Sequence, residues 1–387
     1  MDAPQIYSLA AYGGMIADRV RTEAYAQALR QTVKPGSVVL EIGTGPGAFA
    51  ILACQLGARR VIAIESADII QVARENAALN HYAERIEFIE DFSTNVTLPL
   101  QADVIVSDLH GALPLYGHSV LSIIDARRRF LKPGGALIPR EETLWAALVE
   151  MPEHYAELVE PWQHNVLDLD LEAAGRLVVN DVHQWRAKPD QLLSAPQLWA
   201  SLNYSTVDDP DVRGELRWTA ERDGTGHGFI IWFDSDVADG VSFSNSPRAL
   251  KTIYSSLFFP WIHPVQLKQG EKISVQLEAK LTAGDYVWRW STQVNSPSPS
   301  GKVHDQFDQS MLAGSVLSPT RLRKAASGYI PQLSDEGLLD RKVLGMMDGR
   351  ATLEEIARRL AADNPHMFAR WQDALASASA LSRKYSR

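Results

Sequence analysis

The sequence has very little of several features that mark particular classes of protein. Cys54 is the single cysteine in 387 residues, so an internal disulfide or a site built from several thiolates is impossible. No apolar run approaches the ~18 residues that a membrane-spanning helix needs. The N-terminal residues do not form a basic segment followed by an apolar one, so we expect no secretory signal. These absences predict a cytoplasmic protein without a membrane association.

Long basic segments are absent as well. The formal net charge is −9 at pH 7, and we interpret the basic triplet 127–129 as the solvated end of a helix. Nucleic acid is therefore not an expected partner, and we predict no metal site. Hydrophobic residues make up 45% and charged residues 22% of the chain, as in globular proteins. The length is sufficient for two or three domains.

The most informative segment covers residues 38–47. An apolar run leads there into a glycine-rich turn, and a helical pattern follows over residues 48–56. This pattern predicts a buried strand, a loop that passes close to a ligand, and a helix whose N-terminus faces that ligand. Gly43, Gly45 and Gly47 suit such a loop because a Cβ would obstruct both the tight turn and the ligand.

Two cofactors, a dinucleotide and S-adenosylmethionine, are compatible with this βαβ pattern. A second apolar strand, residues 60–64, is followed by Glu65, where a carboxylate would bind the ribose hydroxyls of either one. Glu41, two residues before the first glycine, would repel a pyrophosphate but suits a cationic amino-acid ligand. Asp91 follows a short strand and could accept a hydrogen bond from an adenine amino group, and residues 131–138 are typical of a late methyltransferase strand. We therefore predict S-adenosylmethionine.

The periodicity along the chain predicts an α/β domain followed by a β domain and a small helical domain. Strands alternate with helices in the second segment, which predicts a doubly wound, Rossmann-like sheet, whereas short alternating runs in the third predict an antiparallel β barrel or sandwich. The predicted segments are N-terminal helices at 1–32, the cofactor-binding domain at 33–145, the β barrel at 146–298 with a helical arm at about 155–182, a linker at 299–333 and a mainly helical domain at 334–387.

The segment 18–25 (DRVRTEAY), the glycine loop and the Ser-Asn-Ser-Pro turn at 244–247 occur in an order that resembles the protein arginine methyltransferases over about residues 5–295. The resemblance implies that Arg21 meets the methionine carboxylate of the cofactor, and that the helical arm forms a homodimer. It also places Ile6, Tyr7 and Tyr12 near the aromatic cap that the family has over its site.

The chain departs from that family where the acceptor binds. The family holds a guanidinium with two glutamates, and the matching positions here are Asp108 and Gly117, or His118 one residue further on. The Thr-His-Trp motif of the family reads Thr252-Ile253-Tyr254. Losing one charge-assisted partner typically costs ~1.5–3 kcal/mol, so we predict an altered acceptor pocket.

The sequence favours one activity and leaves three others open. We expect a methyltransferase that acts on a nitrogen or oxygen of a peptide, an amino acid or a natural-product intermediate. The alternatives are a genuine but degenerate arginine methyltransferase, a non-catalytic cofactor-binding scaffold and, last, a nicotinamide-dependent redox enzyme. No hydride-transfer partner is evident in the sequence.

The predicted catalytic residues are Asp108 and His110, because both follow the fourth strand, at the edge of the sheet where ligands bind. His110 could act as a general base with a pKa near neutrality, and Asp108 could orient or bind the acceptor. Tyr7, Tyr12 and Tyr116 are predicted to line the acceptor pocket. The predicted cofactor-binding residues are Arg21, Glu41, Gly43, Gly45, Gly47, Glu65, Ser66, Asp91 and Phe92.

The C-terminal segment lies outside this resemblance. The run 347–356 (MDGRATLEEI) resembles the small winged-helix modules of PqqD type, which bind leader peptides. Thr352 and Glu355 are spaced as a capping box at the start of a helix. If the resemblance holds, this module delivers a peptide or carrier-borne acceptor. The alternative is a helical appendage that packs on the barrel or on a partner subunit.

Overall fold

The computed structural model describes residues 7–296 and 303–386. It comprises two compact units, Met1–Ser315 and Val316–Arg387. Ile6 and the first residues of the predicted linker, 299–302, lie outside the described residues. Within the described ranges, no helix has both the length and the apolar character to cross a membrane.

Two helices begin the first unit, α1 (Leu9–Ala17) and α2 (Arg19–Thr32). Asp18 lies between them and caps α2, because its carboxylate accepts a hydrogen bond from the Arg21 backbone amide at 3.2 Å. Tyr25 and Leu29 are fully buried on the inner face of α2. This face holds α2 against the sheets and positions Arg21 toward the interior.

A parallel sheet with the strand order β3-β2-β1-β4-β5 forms the centre of the first half of this unit. Its order reverses between β1 and β4, and such a switch point is where open α/β sheets bind ligands. The doubly wound sheet is therefore confirmed. Its elements are β1 (Val38–Ile42), α3 (Ala48–Gln55), β2 (Arg60–Glu65), α4 (Ile70–Leu79), β3 (Ile86–Glu90), β4 (Ala102–Ser107), α5 (Ser119–Phe130) and β5 (Leu131–Ile138).

The second half contains two antiparallel sheets. One has the order β7-β12-β10-β6-β8, with β11 added to β10, and the other has the order β15-β14-β13-β9. Their strands are β6 (Glu141–Val149), β7 (His183–Trp185), β8 (Gln197–Asn203), β9 (Val212–Thr219), β10 (Gly224–Ala238), β11 (Val241–Ser244), β12 (Ser256–Leu267), β13 (Lys272–Thr282), β14 (Asp285–Asn295) and β15 (Val303–Ser310).

The predicted β barrel is not closed. In the described residues no hydrogen-bonded ladder joins the two antiparallel sheets. Aromatic side chains pack between them instead: Phe259 of β12 meets Trp290 of β14 edge-on at 5.3 Å, and Phe229 of β10 lies 5.9 Å from Trp218 of β9. The barrel prediction was wrong in this respect because alternating burial identifies antiparallel strands but does not reveal whether the outer strands pair.

Two predicted boundaries also change. The cofactor-binding domain was predicted to reach residue 145, but β6 begins at Glu141 and pairs with β10 and β8. Residues 303–310 of the predicted linker form β15, which pairs with β14. The predicted arm contains α6 (Pro152–Gln163) and α7 (Glu172–Val178), and α8 (Met311–Gly314) ends this unit.

The second unit is helical. It contains α9 (Pro319–Ala325), α10 (Asp335–Met346), α11 (Leu353–Asp363) and α12 (Trp371–Tyr385), and residues 316–386 include no strand. Val343, Ile356 and Leu360 are buried at its centre. The capping box of Thr352 and Glu355 is confirmed. The wing that a winged helix would add is absent from these residues.

Candidate functional site

The glycine loop between β1 and α3 has the backbone that the sequence predicts. Gly43, Gly45 and Gly47 have φ angles of 75°, 52° and 86°, in the left-handed region. A Cβ on Gly43 would lie 2.6 Å from Leu109 Cδ2, and one on Gly45 would lie 3.1 Å from Tyr12 Cε1. The loop therefore needs glycine both for its conformation and for the close approach of its neighbours.

Glu65 lies at the end of β2, next to this loop. Its Oε2 accepts a hydrogen bond from the Gly45 amide at 2.9 Å, and its Oε1 accepts one from the Ala67 amide at 3.1 Å. Each carboxylate oxygen has two lone pairs, so each retains capacity for a ligand hydroxyl. Ser66, the next residue, is partly buried.

Asp91 and Phe92 follow β3 at the same edge of the sheet. Glu65 and Glu90 are paired in the register of β2 and β3, which brings Asp91 close to the end of β2. Asp91 is exposed and accepts a hydrogen bond from Asn95 Nδ2 at 2.8 Å, while Phe92 is 43% exposed. The structure thus assembles the predicted cofactor residues of β1, β2 and β3 along one edge.

Glu41 differs from its predicted role as a charged group. It lies in the central strand β1, is 2% exposed, and accepts a hydrogen bond from Thr44 Oγ1 at 2.7 Å. Burial raises the pKa of its carboxyl to about 8, against the opposing hydrogen bonds from Thr44 and the Ala50 amide. Burial therefore leaves Glu41 mostly protonated at neutral pH, and its carboxyl supports the glycine loop from inside through Thr44. Its attraction to a cationic ligand stays a prediction.

The three predicted tyrosines meet at one place. The rings of Tyr7 and Tyr12 are 5.8 Å apart and nearly perpendicular, and Tyr7 is close enough to Tyr116 to raise the pKa of its hydroxyl. Burial raises the pKa of Tyr12 and of Tyr116 to about 12, so both phenols stay neutral. Since the Tyr12 ring also contacts the Gly45 position, the tyrosine group adjoins the glycine loop.

Asp108 follows β4 and is hydrogen-bonded to several groups. Its Oδ2 accepts from Arg21 Nη1 at 2.6 Å, and its Oδ1 accepts from the Tyr254 hydroxyl at 2.6 Å and from His110 Nδ1 at 2.6 Å. Burial opposes ionisation of Asp108, but the charges of Arg21 and His110 outweigh it and hold the pKa of this carboxyl well below its usual range. Asp108 is thus an ionised carboxylate, and groups of the protein itself already donate hydrogen bonds to both of its oxygens.

His110 connects Asp108 to a group that the sequence reasoning missed. Its Nε2 lies 2.5 Å from Glu142 Oε1, and the Tyr204 hydroxyl donates to Glu142 Oε2 at 2.5 Å. Glu142 is fully buried, and it lies on the inward face of β6 together with Leu144 and Ala146. Side chains two residues apart in a strand share a face, so an acid in line with the apolar Leu144 and Ala146 is unusual. This pattern could have identified Glu142 from the sequence.

The charges on both sides of His110 determine its protonation state. Burial alone would lower the pKa of His110, but the carboxylates of Glu142 and Asp108 outweigh burial and raise it to about 10. His110 is therefore an imidazolium with both nitrogens bonded at neutral pH. The prediction of a general base with a pKa near neutrality was wrong because the sequence did not reveal a second carboxylate.

Of the positions that depart from the arginine methyltransferase pattern, Tyr254 belongs to this cluster, whereas Gly117 lies next to Gly284 and Asp285. Gly117, in the position of the second glutamate, has a φ of 49°, and its amide donates to Asp285 Oδ1 at 3.3 Å. The Ile253 amide donates to Asp18 Oδ2 at 2.7 Å. Tyr254, the next residue, places its phenol on Asp108.

The strand order, the glycine loop with Glu65 at its edge and the arginine above it define a class I S-adenosylmethionine-dependent methyltransferase. Residues 20–139 match the family profile described as ribosomal protein L11 methyltransferase, and residues 140–293 match the arginine methyltransferase oligomerization subdomain. The protein arginine N-methyltransferase PRMT10 of Oryza sativa subsp. japonica is 34% identical over 296 residues, which cover 67% of this chain and 78% of that protein. The chain belongs to the protein arginine methyltransferase family.

Further relatives agree with this assignment. Protein arginine N-methyltransferase 1 of Dictyostelium discoideum is 26% identical over 268 residues, covering 67% of this chain and 78% of that protein. The Trypanosoma brucei PRMT1 enzyme-prozyme complex with AdoHcy shares the fold with a TM-score of 0.72 at 20% identity, covering 78% of this chain and 98% of that one. Protein arginine methyltransferase 10 of Arabidopsis thaliana has a TM-score of 0.67 at 21% identity, with 78% and 97% covered. The cofactor of this enzyme is S-adenosylmethionine.

Proposed function

We propose that this enzyme transfers the methyl group of S-adenosylmethionine to a nitrogen or oxygen other than an arginine guanidinium. The main support for the proposal is that the hydrogen-bonding positions of Asp108 are already used by other side chains of the protein. Its two oxygens already accept hydrogen bonds from Arg21, His110 and Tyr254. A guanidinium clamp needs two available carboxylates, and Gly117 supplies none at the second position.

The residues around the glycine loop suit the cofactor. Glu65 would accept from the ribose hydroxyls, and the exposed Asp91 would accept from the adenine amino group. Arg21 is 4% exposed, and its Nε has no hydrogen-bond partner among the described residues. A buried donor of this kind is costly unless a ligand satisfies it, and the methionine carboxylate would do so. Ser66 and Phe92 would complete the ribose and adenine contacts.

The contribution of the protein to the reaction would be mainly alignment. The sulfonium supplies an activated methyl group, so the protein has to hold the acceptor lone pair in line with the carbon that is transferred. Tyr7, Tyr12 and Tyr116 would enclose the acceptor and exclude water, since phenol hydroxyls both donate and accept hydrogen bonds. Asp108 would orient these groups through Arg21 and Tyr254.

Arginine N-methylation is the second candidate, because the relatives that match most of the chain are protein arginine N-methyltransferases. In that case a guanidinium would have to displace His110 or Arg21 from Asp108. The two candidates therefore differ in which cation occupies the Asp108 carboxylate during turnover.

A labelling experiment distinguishes the two. The enzyme is incubated with tritiated S-adenosylmethionine and two peptides, one containing Gly-Arg repeats and one in which lysine replaces every arginine, and in parallel with cell extract. We expect label in extract components, and no methylarginine after hydrolysis and mass spectrometry of any sample. Methylarginine in the repeat peptide or the extract would contradict the proposal and establish the second candidate. Cofactor binding without any transfer would contradict both.

We also propose that the enzyme forms a homodimer through its helical arm. The region that matches the oligomerization subdomain includes α6 and α7, and the loop between them exposes three apolar side chains. We further propose that the acceptor is a peptide or a small molecule. If it is a peptide, the helical unit that begins at residue 316 would bind its leader or carrier segment. The division into domains at about residues 32, 140 and 315 is part of the same proposal.

A further inference from the structure

A buried chain of polar groups extends away from Asp108, beyond the residues that the proposed reaction uses. His110 lies between two carboxylates, with Nδ1 2.6 Å from Asp108 Oδ1 and Nε2 2.5 Å from Glu142 Oε1. The side chain of His110 is 3% exposed and that of Glu142 is 0% exposed. The Tyr204 hydroxyl donates to the other oxygen of Glu142. The arrangement is thus nearly dry at Glu142 and His110, and its only exposed edge among these side chains is at Asp108, which is 14% exposed.

When Asp108 and Glu142 are both ionised, the geometry fixes the charge of His110, whereas a protonated Glu142 would donate to a neutral ring. A carboxylate oxygen only accepts hydrogen bonds, so both ring nitrogens must donate when both face carboxylates. Only the imidazolium carries two N–H groups. The ring of Phe233 stacks on His110 with centroids 5.1 Å apart and a 3° angle between the planes, so one face of the imidazole is covered.

The charges in this cluster are balanced. Arg21 and His110 each carry one positive charge, and Asp108 and Glu142 each carry one negative charge. Three phenols also face the cluster, from α2, the residue after β8 and the segment before β12: Tyr25, Tyr204 and Tyr254. Two further acids interact with these four groups, since Asp18 acts on the charge of Arg21 and Glu41 interacts with Asp108. Without Glu142, the protonated cluster would carry a charge of +1.

The cluster adjoins the proposed cofactor loop. Leu109, between Asp108 and His110, occupies the space beside Gly43, where an added Cβ would lie 2.6 Å from its Cδ2. The charge of the cluster is therefore felt at the position where a sulfonium cofactor would lie.

We propose that Glu142 is a positioning residue that holds His110 as an imidazolium against Asp108, so that the acceptor side of the site is electrically neutral and admits an uncharged acceptor nucleophile. This inference rests on the proposed function. The imidazolium takes the place at Asp108 Oδ1 that a cationic acceptor would need, and Glu142 offsets the charge that would otherwise repel the sulfonium. The acceptor class is then a hydroxyl, an amide or an unprotonated amine.

The variant Glu142→Gln tests this role because glutamine can keep both hydrogen bonds. Its amide would donate to a neutral His110 Nε2, and its carbonyl oxygen would accept from Tyr204. In ¹⁵N-histidine-labelled protein at pH 8, we expect both His110 nitrogens to be protonated in the wild type and only one in E142Q. The His110 signals are identified as those that are missing from the spectrum of the variant His110→Gln.

Calorimetry supplies the second readout. S-adenosylmethionine carries a sulfonium charge that S-adenosylhomocysteine lacks. The dissociation constant of S-adenosylmethionine divided by that of S-adenosylhomocysteine therefore isolates the effect of the cluster on that charge. We expect a ratio independent of pH between 6 and 9 in the wild type. In E142Q, the ratio should rise at least about threefold at pH 6, where His110 becomes charged without its counterion. Glu141→Gln, the neighbouring residue whose side chain bonds Ser201 and Asn203, should behave as the wild type.

Two results overturn the inference: a wild-type His110 with a single protonated nitrogen at pH 8, or an E142Q ratio that does not change with pH. If E142Q does not fold, as judged by circular dichroism, the wild-type spectrum decides alone. These readouts do not depend on methyl transfer. Methylarginine in the labelling experiment would overturn the proposed function, whereas the histidine spectrum addresses only the role of Glu142.

Discussion

At the residue scale, the carboxyl groups of this enzyme differ in charge because their surroundings differ. Burial raises the pKa of Glu41 to about 8, and the charges of Glu65 and Asp108 act in the same direction. Asp108 is also buried, yet two cations hold it ionised. The residue types are similar, so the neighbours that the fold provides determine the charge.

The raised pKa of Glu41 predicts a loss of stability with pH. The folded state retains a proton between the usual value of 4.5 and about 8, whereas the unfolded state has released it. The stabilisation is complete below 4.5 and is lost as the pH rises toward 8, by up to about 1.4 kcal/mol per pH unit. In Glu41→Gln this contribution should be absent, so the difference between the unfolding free energies of variant and wild type should grow with pH.

Urea unfolding at pH 5, 6, 7 and 8 measures this difference. The control is Glu23→Gln, which removes an exposed carboxyl on α2 and should give a curve parallel to that of the wild type. A parallel curve for Glu41→Gln would mean that Glu41 is ionised in the folded protein.

At the scale of elements, the long antiparallel strand β10 depends on one glycine. Gly228 has a φ of 143°, at a shift in the register between β10 and β12, and a Cβ there would lie 2.1 Å from the Phe259 carbonyl oxygen. The strand can pair on both sides only if its backbone passes this close to β12. This requirement was not evident from the sequence, where Gly224, Gly226 and Gly228 are similar in context.

Substitution of this glycine should therefore destabilise the β half of the molecule. We expect Gly228→Ala to lower the free energy of unfolding by about 2–4 kcal/mol, since both the backbone conformation and the contact become unfavourable. Gly240→Ala is the matched control: φ is 66°, but no atom lies within 4 Å of the added Cβ, so about 1–2 kcal/mol is expected. Urea denaturation of both variants gives the comparison, and equal losses would show that the contact with β12 has no cost.

The strands that were predicted well are those whose burial pattern is strong. All five residues of β1 are buried, which matches its continuous apolar run. The missed strand β15 is polar and has buried side chains only at Phe307 and Gln309. Among the described strands it is an edge strand that pairs only with β14, and half of its side chains are exposed. Its sequence therefore shows little of the apolar alternation on which such predictions depend.

At the scale of the whole molecule, the proposed dimer depends on the loop between α6 and α7. Val166, Leu167 and Leu169 are 101%, 69% and 52% exposed, and three exposed apolar side chains together on one loop are typical of an interface. We expect the wild type to have the mass of a dimer by light scattering. The triple replacement by serine should shift it to the monomer at the same concentration.

The control for this experiment is Leu250→Ser, which removes an apolar side chain that is 75% exposed elsewhere in the same unit. It should leave the mass unchanged. An unchanged mass for the triple variant would contradict the proposed role of the arm, and a monomeric wild type would contradict the dimer itself.

By itself, the sequence determined the parallel sheet, the glycine loop, the acid at the end of β2, the capping box of α11 and the class of enzyme, because each depends on residues close together along the chain. Only the tertiary structure decided which groups meet in the cluster. Arg21 is 87 residues from Asp108, and Tyr254 is 146 residues from it. The charge of His110 and the protonation of Glu41 follow from such distant neighbours and from burial, since both the electrostatic energy and the desolvation cost depend on positions in space rather than in sequence.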